Sequence, residues 1–103
     1  MAVARIYDAE FIPGTAQNHQ SHLGKFWWVD TTSKTGTWTR QQAYDYVLAN
    51  PGDIYVAEGS NRVTVLAYRN NAGTEWIQTA PDGTRRDNLM TLAQRHAQGL
   101  PNN

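Results

Sequence analysis

The run Thr39-Arg40-Gln41-Gln42-Ala43-Tyr44-Asp45-Tyr46-Val47-Leu48-Ala49-Asn50-Pro51-Gly52 is the most legible stretch of the chain. Its first four residues match a capping box. The Thr39 hydroxyl can accept from the Gln42 amide while the Gln42 side chain reaches back to the Thr39 amide. Ala43, Tyr44, Val47 and Leu48 then fall within about 140° of arc at ~100° per residue, one apolar stripe for packing on a sheet. Asn50-Pro51-Gly52 stops the helix, because proline cannot continue it and glycine accepts the conformation that follows. One helix is thus expected here, with strand-like sequence on both sides.

Upstream, Ala4 to Ile12 reads as a strand closed by Pro13-Gly14. Thr15 to Gly24 is polar, lacks a period and reads as a loop. Lys25 to Thr31 is a second strand. Its alternation sends Phe26 and Trp28 to one face and Trp27 and Val29 to the other. Thr32 to Gly36 reads as a turn. Downstream, Ile54 to Glu58 is short and β-branched, and Gly59-Ser60-Asn61 turns it into Arg62 to Arg69. Asn70-Asn71-Ala72-Gly73 signals a hairpin leading to Thr74 to Thr79. Pro81-Asp82-Gly83 is a further turn. Asp87 can then cap a helix with Leu89, Leu92, Ala93 and His96 at i, i+3, i+4 and i+7, ended by Gly99 and Pro101.

The fold class expected is α+β: a mostly antiparallel sheet of four to five strands in the order β-β-α-β-β-β, with one central helix and a C-terminal helix. Residues 1–99 form the domain and 100–103 a flexible tail. A chain of 103 residues supports one such domain. Its core is small, and 4 Trp, 5 Tyr and 2 Phe supply the missing bulk.

Composition excludes much chemistry. Cysteine is absent, so there is no disulfide framework, thiolate cluster or cysteine nucleophile. Nine basic and nine acidic residues cancel, so there is no polyelectrolyte tail, and little charge keeps copies apart. No apolar run approaches the ~20 residues of a membrane span. Met1-Ala2-Val3-Ala4-Arg5 lacks a secretory leader's basic start and apolar stretch. The expectation is a cytoplasmic chain without membrane contact.

An ordered series of short pieces resembles the bacterial domain of unknown function 3892 family. The pieces are Trp28-Val29, Thr39-Arg40 opening a helix, Tyr55-Val56, Val63-x-Val65, Trp76-Ile77-Gln78-Thr79, Asp82-Gly83 and Asp87-Asn88-Leu89-Met90-x-Leu92. The resemblance spans residues 4–92. Gln78 stands where the family commonly has a basic residue, and Ala93 where it has proline. The second departure favours a continued helix after Asp87. The family is uncharacterised, so the resemblance implies an architecture but no activity.

Candidate chemistry is sparse. His19-x-x-His22 has the spacing of metal ligands, but zinc needs three or four, and only His96 or Asp8 could join through the fold. A solvated loop is the simpler account, and no metal or cofactor is expected. Ser21, Ser33 and Ser60 sit in turns without a nucleophile elbow, and Gly14, Gly24 and Gly36 are too scattered for a phosphate loop. No catalytic residue is assigned.

Arg85-Arg86 beside Asp87-Asn88 is the densest polar cluster. It reads either as a helix cap with a local ion pair or as an arginine fork for carboxylate or phosphate, with Trp27, Trp76 or Tyr68 stacking nearby. Trp27 is exposed if Trp28 lies under the helix, unless the terminal helix covers it. The candidate binding residues are therefore Trp27, Trp76, Arg85, Arg86, Asp87 and Asn88.

The function expected is a non-catalytic binding module for a protein partner or a second copy, including a phage or bacterial accessory or inhibitor factor. The alternative is single-stranded nucleic-acid binding through Lys25, Arg62, Arg69, Arg85 and Arg86 with stacking aromatics, which zero net charge disfavours. A third reading is a small-ligand or enzyme pocket lined by Tyr44, Trp76 and His96.

Overall fold

The computed structural model describes residues 3–58, 60–79 and 88–101, with the Glu58 side chain excluded. The class is α+β. Six strands form one sheet in the order β3-β2-β1-β4-β5-β6, and two α-helices pack on it. In chain order the elements are β1 Ala4–Phe11, β2 Leu23–Asp30, β3 Thr35–Thr39, α1 Arg40–Ala49, β4 Ile54–Glu58, β5 Asn61–Arg69, β6 Glu75–Thr79 and α2 Asn88–Ala97. One turn of 3-10 helix, Gln20–His22, lies between β1 and β2.

Two expectations are corrected. The sheet has six strands rather than four to five, because Thr35–Thr39 is a strand and not the end of a turn. It pairs antiparallel with β2, Trp38 opposite Phe26 and Gly36 opposite Trp28. The sheet is also mixed. β1 and β4 pair parallel at Ala4–Ile54 and Arg5–Tyr55, while all other neighbours are antiparallel. A parallel pair needs a crossover, and here β2, β3 and α1 supply it.

The turn joining β2 to β3 is held by one carboxylate. Asp30 Oδ1 accepts from the Thr32 amide at 2.9 Å, the Thr32 hydroxyl at 2.7 Å and the Lys34 amide at 3.0 Å. These bonds hold its carboxyl below the usual range, the Thr32 hydroxyl contributing most. The tightness of the turn leaves Thr35 extended, which makes room for β3.

The helix α1 begins with the expected capping box, the Gln42 amide donating to Thr39 Oγ1 at 3.2 Å and the Thr39 amide to Gln42 Oε1 at 2.9 Å. Such a cap is worth about 1 kcal/mol. Ala43, Tyr44 and Val47 are buried as expected, but Leu48 is 61% exposed. That residue is a correction. At the last turn Val47 stays buried while Leu48 stands at an open groove beside β5.

One face of β1 and β2 carries Ile6 opposite Trp28 and Ala9 opposite Phe26, all buried. Trp38 continues this face and stacks between Trp28, with centroids 5.2 Å apart, and Tyr46 of α1, at 4.8 Å. Gly36 is required there: a Cβ on it would sit 2.6 Å from Trp28 Cζ2. Phe26, Ile6, Leu23, Ile54 and Ile77 have almost no exposure. Each contributes about 1.5–3 kcal/mol by leaving water.

Within β1 the register shifts between Ile6 and Asp8. The extra residue turns Asp8 to the face of Trp27, and Glu10 opposite Lys25 follows on that same face. The helix α2 lies along β1 and also touches β4 and β6. Leu89 and Ala93 are its buried positions, with Leu92 and His96 partly covered, which matches the expected periodicity. It ends in a Schellman motif: Leu100 N–H donates to the Arg95 carbonyl, Gly99 N–H to that of His96, and Gly99 has φ +73°. The Arg95 guanidinium then bonds the Pro101 carbonyl at 2.8 Å, so residues 100 and 101 are fastened to the helix end.

Candidate functional site

The Trp27-Trp28 pair splits as alternation requires. Trp28 is buried under α1, and Trp27 faces the other way and is half-buried. It is the terminal helix that covers it: the His96 ring stacks on Trp27 with centroids 5.2 Å apart and planes at 26°. His96 Nδ1 lies 3.2 Å from Asp8 Oδ2, and Nε2 lies 3.1 Å from Glu10 Oε2. Lys25 Nζ sits 4.8 Å from the Trp27 ring. Two carboxylates, an imidazole, an indole and an ammonium therefore meet over β1 and β2. Only a ring with both nitrogens protonated donates to both acids at once. Chemically this is a fastening for α2, built from a stack and two partly exposed polar contacts. Asp8-x-Glu10 was the available sequence signal, since residues two apart on a strand share a face.

Trp76 is buried on β6. It stacks on Tyr68 at 6.3 Å, meets His19 edge-on at 5.2 Å, and donates its indole N–H to Gln78 Oε1 at 2.9 Å. Gln78 thus serves an indole. The loop histidines act locally: His19 Nδ1 accepts from the Ser21 amide at 3.0 Å and starts the 3-10 turn. Asn18 N–H lies 3.4 Å from His22 Nδ1. Among the described residues no group of three or more His, Asp or Glu is placed to hold a metal ion.

Asn88 opens α2, is buried, and its amide donates to Thr79 Oγ1 at 3.2 Å. Arg85, Arg86 and Asp87 lie outside the described residues. Tyr44, Trp76 and His96 each keep different neighbours. Tyr44 meets Glu75 through its hydroxyl, Trp76 meets Tyr68 and His19, and His96 meets Trp27, Asp8 and Glu10. Of the other candidate cations, Arg62 lies 4.3 Å over the Tyr55 ring and Arg69 sits at the far end of β5.

A surface feature that the sequence did not single out lies beside α1. Val47, Leu48 and Pro51 form one wall of an open groove of about 310 Å³, and Leu66, Ala67 and Tyr68 of β5 form the other. Leu48 and Leu100 are the large hydrophobic residues most exposed among those described. In the sequence Leu48 belongs to the apolar stripe of α1, so nothing local marks the groove. The lining is apolar apart from backbone and the Tyr68 hydroxyl, so it can exclude water from an apolar side chain but offers little to hold a charged or polar small molecule.

Comparison with known protein families, with curated proteins and with solved structures finds no match for this chain. No helix of the described residues is long and apolar enough to cross a membrane.

Proposed function

We propose that this chain is a non-catalytic binding module whose target is a protein, engaged at the groove between the end of α1 and β5. The observation that carries the reading is Leu48, the most exposed large hydrophobic side chain among the described residues at 61%, at the mouth of an apolar groove. Contiguous apolar surface of this kind marks interaction sites. Absence of net charge fits a partner met through shape and burial rather than through long-range attraction. Small size and compactness fit a bacterial or phage accessory factor acting in the cytoplasm.

The test compares wild type with Leu48→Asp, a change at an exposed site that leaves the core intact. Each is used as bait in quantitative pull-down from a bacterial lysate, with Trp27→Ala as a second bait. The reading expects a protein that is retained by wild type and Trp27→Ala and lost with Leu48→Asp. Equal recovery with all three baits contradicts it.

A further inference from the structure

We infer that the groove takes an extended segment of a protein partner, added as a strand to an open edge of β5; this rests on the binding reading above. β5 changes partner halfway along. Asn61 to Thr64 pair with β4, and Val65 to Arg69 pair with β6. The hairpin after β5 fixes which way each residue turns. Asn70 N–H donates to the Thr74 carbonyl at 3.0 Å. Counting back along an antiparallel ladder, Tyr68 and Leu66 bond toward β6, while Ala67 and Arg69 aim their N–H and C=O away from it. On that far side the β4 ladder has ended at Tyr55 opposite Thr64. Among the described residues no strand continues it.

The sheet's other edges are less inviting. The strand β6 packs against α1, whose Gln41 side-chain amide donates to Glu75 at 2.8 Å. The strand β3 has five residues and a glycine in its interior, a short edge of the kind that resists pairing. At β5, unpaired backbone groups coincide with apolar walls. A strand laid there bonds to Ala67 and Arg69 through its main chain and drops one apolar side chain between Leu48 and Tyr68, the logic of β-strand addition.

Charge at the rim selects among occupants. The Arg69 side chain is 65% exposed, and its nearest acid, Glu75, is 4.0 Å away, at the limit of an ion pair. Its remaining donors suit a carboxylate on the incoming strand. A second copy of this chain supplies none. Laid antiparallel with Ala67 opposite Ala67, it sets Arg69 against Val65. The occupant is therefore a short segment of alternating apolar residues with an Asp or Glu placed beside Arg69.

The probe is a phage-displayed random peptide library selected on the whole chain, followed by affinity measurement on synthetic winners. The expected consensus alternates apolar residues and carries one acid. N-methylation of the peptide amide facing Ala67 weakens binding roughly ten-fold or more, as loss of a backbone hydrogen bond requires. Leu48→Asp abolishes binding, and Arg69→Glu exchanges the preferred acid for a base. A consensus with helical spacing, or indifference to N-methylation, overturns strand addition while leaving the binding reading intact. No enrichment, with a dimer in sedimentation that Leu48→Asp dissociates, makes a second copy the occupant and overturns the proposal. No enrichment and no dimer also overturns it, and the pull-down then judges the binding reading separately.

Discussion

His96 on the last turn of α2 and Trp27 in the middle of β2, far apart along the chain, stack with ring centroids 5.2 Å apart. With Asp8 and Glu10 flanking the imidazole, this contact fastens the C-terminal helix to the sheet. A stacked aromatic pair adds about 0.5–1.5 kcal/mol, and the two partly exposed polar contacts add about 0–1 more. His96→Ala is expected to lower stability by about 1–2 kcal/mol in urea unfolding. A double-mutant cycle with Trp27→Leu should return a coupling of about 0.5–1.5 kcal/mol. Additive losses would show that the rings merely coincide.

Gly36→Ala should destabilise the chain by about 1–3 kcal/mol, the usual penalty for overpacking. The added methyl meets Trp28 Cζ2 at 2.6 Å, and Trp28 is pinned from behind by its stack on Trp38. Thermal unfolding measures this. An unchanged melting temperature would mean that the Trp28–Trp38 stack yields freely.

Alkaline pH should loosen α1. Burial raises the Tyr44 phenol above its usual value, with Glu75 adding to the effect, and burial also raises Tyr46, with help from Asp53 and Asp30. A folded-state value above the unfolded one gives stability that is complete below the ordinary tyrosine range and is lost as pH rises through the raised value. Urea unfolding near neutrality and above pH ~10 should show that loss. The Tyr46 hydroxyl is buried with no hydrogen-bond partner among the described residues. Tyr46→Phe should therefore cost nothing at neutral pH, and it should reduce the alkaline loss. A large neutral-pH cost would reveal a partner for that hydroxyl.

Acid should act on the β2–β3 turn in the opposite sense. The Thr32 hydroxyl, then the Thr32 and Lys34 amides, hold the Asp30 carboxyl low. The stability it contributes is present above the ordinary aspartate range and falls away as pH drops through the lowered value. Asp30→Ala is expected to lower the melting temperature at pH 7 and to make little difference once that carboxyl is protonated. The same depression at both extremes would contradict an ionised Asp30 as the turn's fastener.

The reach of the sequence can be traced residue by residue. α1 was legible because its signals are local: Thr39 and Gln42 are three apart, and the stop lies in Asn50-Pro51-Gly52. α2 was legible from the spacing of Leu89, Leu92, Ala93 and His96. β3 was not, because Thr35-Gly36-Thr37 carries turn-forming residues, and only pairing with β2 makes it a strand. The partners of His96 are 86 and 88 positions away, a separation no periodicity encodes. Leu48 fits the apolar stripe perfectly well. Its exposure comes from the open groove between α1 and β5, which is a tertiary fact. Of the proposed binding residues, Trp27 and Trp76 turn out to be engaged with His96, and with Tyr68 and His19, inside the fold.

Amide hydrogen exchange on the free chain tests the open edge of β5 most directly. Leu66 and Tyr68, bonded toward β6, should exchange slowly, whereas Ala67 and Arg69 should exchange at least ~10-fold faster despite lying in the same strand. Alternation of this kind along Leu66 to Arg69 is what an unpaired edge beside Leu48 requires. If Ala67 is as protected as Tyr68, another part of the chain already occupies that edge, and the groove cannot receive a partner's strand.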